Sequence, residues 1–110
     1  MIEDTIKKIE AKIRTASSIT KENKTELLNL LAALESEIVK LSHSESEHAE
    51  SVAGFIERST HEATRREKNP ELLRLSLAGL TASVKGFEAS HPRLVADINC
   101  ISTVLANMGI

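Results

Sequence analysis

The chain has no tryptophan, no tyrosine, a single cysteine and two prolines, and its only phenyl side chains are Phe55 and Phe87. A core built from such a sequence rests on Leu, Ile, Val and Ala. Lone Cys100 excludes an intramolecular disulfide, and the first residues carry no apolar run of the kind a signal peptide needs, which together favour the cytoplasm. No uninterrupted apolar stretch nears the roughly 20 residues that span a bilayer. Charge of one sign is lacking too. Fourteen Lys and Arg against 16 Asp and Glu leave a net charge of -2 and a pI near 6.1, so neither nucleic acid nor an anionic membrane is an expected partner. Phosphate-loop, dinucleotide, zinc-ribbon and nucleophile-elbow motifs are missing, which removes every positive argument for an enzyme and implies no cofactor.

What the sequence does have is helical periodicity, within the length of one domain at 110 residues. Leu73, Leu77, Leu80, Val84 and Phe87 follow at steps of four, three, four and three, which lines them along one side of a helix. Asn69 and Pro70 form a start signal for it, and Pro92 biases His91 away from helical geometry, so this helix is predicted to end near Ala89 or Ser90. Leu94, Ile98, Ile101, Leu105 and Met108 repeat the stripe beyond a hinge at His91 and Pro92. Gly109 is placed to close that helix, with Ile110 folding back on Leu105. In the first half, Ile2, Ile6, Ile9, Ile13 and Ala16 predict a helix from Ile2 to about Ala16. Thr20 is a cap for a helix from about Lys21 to Leu41, whose stripe is Leu27, Leu31, Leu34, Ile38 and Leu41.

Residues 42–51 read SHSESEHAES and hold no large apolar side chain for more than two helical turns. Neither Gly nor Pro interrupts them, which favours one continuous helix from Lys21 to about Lys68 over two helices with a frayed join. Carried through unbroken, the phase sets Glu45 and His48 in the same stripe as Leu41, Val52 and Phe55, a polar layer able to specify register and oligomeric state. The resulting expectation is an all-α bundle of three or four helices with a long central helix and coiled-coil-like packing. A helical hairpin (1–41), a polar helical extension (42–69) and a hinged helix pair (70–110) compose it. Four apolar stripes exceed what one thin chain needs, which favours a homodimer or higher homo-oligomer.

Candidate sites are few. Glu45 with His48, and Glu88 with His91, are Glu-x-x-His pairs, and carboxylate-bridged metal sites in helical bundles use two such pairs with further Glu residues. Pro92 compromises the second pair, and His43 with Glu47 and Glu57 with His61 look solvated; exposed charged helices produce such spacings by chance. Cys100, beside Ile101, reads as a buried inert thiol, since no base is placed to activate it. Arg65, Arg66 and Lys68 read as cations on the carbonyls ending a helix, and less well as a phosphate contact, because Glu67 interrupts them and no aromatic is near. Gly79, Ala82, Ser83, Gly86 and Ser90 make a stripe of small residues. Because glycine is costly inside a helix, close approach of another helix is the favoured reason, ahead of a ligand groove or a kink.

The segments Ser76-Leu77-Ala78-Gly79-Leu80, Ser83-Val84, Phe87-Glu88-Ala89-Ser90-His91-Pro92 and Asn107-Met108-Gly109-Ile110 resemble a family of short bacterial helical proteins of unknown function with an F-E-x-x-H-P-x-L…M-G-I ending. Against its shorter members, 42–69 resembles an extension. The resemblance implies a bacterial cytoplasmic protein and assigns no site residue. The functional expectation is a self-association or protein-interaction module that packs through Leu73, Leu77, Gly79, Leu80, Val84, Gly86, Phe87, Leu94, Ile98, Ile101 and Leu105. The alternative is a metal- or ligand-binding bundle using Glu45, His48 and neighbouring carboxylates.

Overall fold

Helix starts follow their caps. The Thr20 hydroxyl accepts the Asn23 N–H at 3.1 Å and opens one helix, and the Asn69 side-chain oxygen accepts the Leu72 N–H at 3.1 Å with Pro70 in the first position of another. At the hinge, the His91 carbonyl accepts the Val95 N–H at 3.2 Å and Pro92 fills the first position of the last helix. The computed structural model describes residues 2–108. Their five helices are α1 (Ile2–Thr15), α2 (Lys21–Ser42), α3 (Ser46–Thr64), α4 (Pro70–Ser83) and α5 (Pro92–Met108). The closing contact expected of Gly109 and Ile110 lies outside the described residues.

The expected three or four helices are five, because the expected long helix is two, and two expected boundaries fail, each for a physical reason. The long central helix does not exist: the chain turns at residues 43–45, where the Ser44 and Glu45 N–H groups both bond back to the Leu41 carbonyl, and Glu45 then serves as N-cap of α3. One helix from Lys21 to Lys68 would measure about 70 Å, against a longest molecular dimension of 37 Å. It would also strand Val52 and Ile56, which instead become fully buried. Each such burial contributes roughly 1.5–3 kcal/mol, whereas an interrupted helical hydrogen bond costs about 1 kcal/mol net. Burial therefore outweighs continuity even without a Gly or Pro breaker.

The second failure is the end of α4, which stops at Ser83 rather than near Ala89 or Ser90. Its last turn tightens to i→i−3 bonds, Val84 to Thr81 and Lys85 to Ala82. A β-turn follows, closed by Phe87 N–H on the Val84 carbonyl at 3.1 Å, with Gly86 at its third position and φ of +96°. Glycine suits that position because L side chains resist positive φ. Gly86 thus reverses the chain; a Cβ there would meet nothing within 4 Å, so no close helix approach explains it. Gly79 does fit the close-approach reading, since a methyl group there would collide with the Phe55 ring.

The helices make two layers. α3 lies between α1 and α4 and touches all four other helices, while α2 and α5 pack side by side behind it. Every residue of the α1 and α2 stripes from Ile2 to Leu41 is buried except Ala16, as are Leu73, Leu80, Val84, Leu94, Ile98, Ile101 and Leu105. Leu77, Phe87 and Met108 pack partly buried against that core. The stripes thus cover one another within a single chain, and the surplus expected to drive dimerisation is consumed internally.

The glycine inside α3, Gly54, stands apart. No packing demands it, because a Cβ at this position would meet nothing within 4 Å. Gly54→Ala is therefore expected to raise stability by about 0.5–1 kcal/mol, and Gly86→Ala to lower it by about 1–2 kcal/mol. Urea denaturation of the two variants beside the parent measures both; equal midpoints would contradict these two roles.

Candidate functional site

The imidazoles of the two Glu-x-x-His pairs, read separately along the chain, meet at one side chain. His48 near the start of α3 and His91 at the hinge both approach Phe87, with ring centroids 5.3 and 5.9 Å away and edge-to-face planes. Glu45 lies 3.7 Å from His48. Glu88 does not join His91, because its carboxylate accepts the Gly86 N–H at 2.9 and 3.0 Å and secures the turn. The hinge residues His91 and Pro92 therefore act through the backbone, with the His91 ring bracing Phe87. Glu45 and His48 are not in a seam: their side chains are 46% and 58% exposed, since the turn before α3 rotates them out of the stripe. Among the described residues no three His, Cys, Asp or Glu side chains converge on a point that could hold a metal ion.

Cys100 corrects another expectation. It is exposed, because the buried side of α5 is defined by Ile98 and Ile101, and Cys100 falls between them on the outer side. Of the cations after α3, Lys68 acts as a capping group: it donates to the Ala63 carbonyl, and partial burial holds its ammonium below the usual lysine range. Arg65 donates at 2.8 Å to Glu62, a carboxylate only 3% exposed, which Arg58 also approaches at 3.6 Å. Periodicity missed Glu62, as it missed buried Ser59 and Thr60. The legible signal was an Arg four residues before it and another three after, spacings that bring each to the same side of a helix.

The surface feature that periodicity also missed is apolar. Phe55, Leu72 and Leu75 are 38%, 41% and 52% exposed. Leu72, Leu75 and Gly79 recur at three and four along α4, hence on one side, and Phe55 of α3 lies across Gly79. Together they form a ridge over the α3–α4 seam. Beside it Glu71 and Arg74 pair, and the Arg74 hydrogen bond and charge hold the Glu71 carboxyl below its ordinary range. No helix of the described residues is long and apolar enough to cross a membrane.

A family model described as a domain of unknown function, DUF4404, matches residues 24–110. The chain belongs to that family. No curated protein and no solved structure matches it. The DUF4404 span takes in nearly all of α2 and the whole of α3, α4 and α5, so it includes the 42–69 stretch that the resemblance set aside as an extension, and it leaves out α1. Family membership carries no activity with it.

Two outcomes follow from this geometry. Cys100 should react with a disulfide reagent in the folded protein, one thiol per chain, at a rate close to that in urea; protection until unfolding would refute its exposure. A carboxyl held low in the folded state stabilises above its ordinary value of 4.5 and loses that contribution as pH falls. The Glu71→Gln variant should therefore be less stable than the parent at neutral pH, with the gap closing below about pH 4.5 in thermal melts.

Proposed function

We propose that this DUF4404 protein is a non-catalytic cytoplasmic interaction module that self-associates as a homodimer through the ridge of Phe55, Leu72 and Leu75. One observation carries the reading: while the apolar stripes are consumed inside the chain, these three large hydrophobic side chains stand in water along one seam. Exposed apolar groups gathered on one side of a small domain mark a contact surface more often than scattered ones do. Of the residues that periodicity nominated for association, the buried ones, Leu73, Leu80, Val84, Leu94, Ile98, Ile101 and Leu105, supply rigid backing instead.

The flanking charges favour a second copy as the occupant. Laid antiparallel along α4 about a two-fold axis, a second chain sets Leu72 against Leu75 in both directions and brings Glu71 near the other copy's Arg74 on the same flank. Such an interface is self-complementary in both its apolar and its charged parts. The exposed free thiol suits a reducing compartment. Among the described residues no third His, Cys, Asp or Glu joins Glu45 and His48 to support a metal-binding role.

Sedimentation equilibrium from micromolar to near-millimolar protein tests the proposal. The parent should pass from monomer to dimer with concentration, and Leu75→Glu should remain monomeric while keeping the parent's thermal midpoint in dilute solution, since Leu75 contributes little to the core. A parent that stays monomeric throughout, or a Leu75→Glu variant that dimerises equally well, would overturn it.

A further inference from the structure

On the other flank of α3, away from Phe55, a groove runs along the seam with α1. It has two halves of about 340 and 410 Å³ that share Gly54 and Glu57. Lys12, Arg58 and His61 line the first half only, and Glu57, its one acidic lining residue, sits at the junction with the second. The second half carries Asp4, Lys8 and Glu50, a set with no cationic excess. We infer that the first half binds a small molecule through an oxyanion group, phosphate or carboxylate, held by Lys12, Arg58 and His61 above the bare backbone of Gly54.

The donors are arranged for this. The Lys12 ammonium lies 3.3 Å from His61 Nδ1. An ammonium can only donate, so Nδ1 accepts and the ring hydrogen sits on Nε2, which makes His61 a further donor. Lys12 keeps two N–H groups beyond that bond. Arg58 stands 3.6 Å from Glu62, beyond hydrogen-bond reach, while Arg65 satisfies that carboxylate at 2.8 Å. The Arg58 guanidinium is thus left with the planar set of donors that suits a carboxylate or phosphate.

Gly54 supplies an independent observation. It sits in the interior of a 19-residue helix, where glycine is unfavourable, it has no neighbour that a Cβ would disturb, and it lines both halves of the groove. A side chain there would fill the space. Gly54 lines the same half as Lys12, Arg58 and His61, and its missing side chain leaves room there for a ligand group. The wall carrying Lys12 belongs to α1, outside the DUF4404 match, so the site is a property of this chain and not of the matched span. It is independent of the association proposed through the ridge.

Inorganic phosphate and acetate serve as separate probes, titrated into labelled full-length protein at constant ionic strength with chloride as the balancing anion, and followed by amide chemical shifts. The expected result is saturable shifts at Lys12, Gly54, Arg58 and His61 with one probe or both, and the tighter probe identifies the head group. Lys12→Gln and Arg58→Gln should each weaken binding about tenfold, as loss of a charge-assisted hydrogen bond does. Gly54→Leu should abolish it while the thermal midpoint shows the fold intact, and Arg74→Gln, on a different surface, should leave it unchanged. Shifts no different from chloride, or an equal loss for Arg74→Gln and Lys12→Gln, would overturn the inference.

Discussion

Every other helix of this protein rests on α3, and the fold depends on α3 being narrow enough to accept four neighbours. Its buried positions are Ala49, Val52, Ala53, Ile56, Ser59, Thr60, Glu62 and Ala63, and all but Ile56 and Glu62 are small or short. Helix axes approach to 8–10 Å only where the side chains between them permit it. The large side chains come from the periphery, from the isoleucines of α1, the leucines of α2 and the aliphatic stripe of α5. An ordinary amphipathic helix with one leucine stripe could serve one or two neighbours in this way, not four. Substituting leucines into the inward side of α3 would overpack the centre.

That arrangement also explains the polar interior. A central helix with short inward side chains includes Ser59 and Thr60 at little volume penalty, although their buried hydroxyls find no protein partner among the described residues, and half-buried Thr64 returns its own hydroxyl to the Thr60 carbonyl at 2.7 Å. The end of α3 is held by polar groups: Ser18 donates to the Thr64 carbonyl at 3.3 Å, Lys68 reaches the Ala63 carbonyl, and Arg65 secures Glu62. A buried carboxylate is costly unless paired, and Glu62 is paired within its own helix and the residue that follows it. The polar groups at this end anchor α3 to the connector from α1.

Most of the helix content was legible because stripes and caps are local. The positions of Thr20, Asn69-Pro70 and Pro92 mark helix starts by hydrogen-bond chemistry that needs no tertiary context. The turn at residues 43–45 was not legible for the opposite reason. No residue there forbids a helix, and the break follows from Val52 and Ile56 finding cover, a consequence of the whole fold. Gly79 and Gly86 show the same limit within one stripe: one accommodates the Phe55 ring and the other reverses the chain, and spacing alone cannot separate a steric need from a conformational one. Likewise the Glu-x-x-His spacings were visible, yet that both imidazoles would meet at Phe87 required the end of α4 and the start of α3 to be known.

The two outward flanks of α3 differ in chemistry because its residues divide by phase. Phe55 and Glu62, seven apart, face the α4 side, whereas Gly54, Arg58 and His61 recur at four and three toward α1. Arg58 is the side chain that could connect them, since it stands near Glu62 and also lines the groove. The connection is weak, because Arg65 keeps Glu62 satisfied whether Arg58 turns toward it or away. Arg58 is mostly solvent-exposed, and an exposed pair at 3.6 Å contributes little. Events on the groove side therefore need not disturb the ridge, and perturbations of the two flanks should combine additively, as separate sites without a shared partner do.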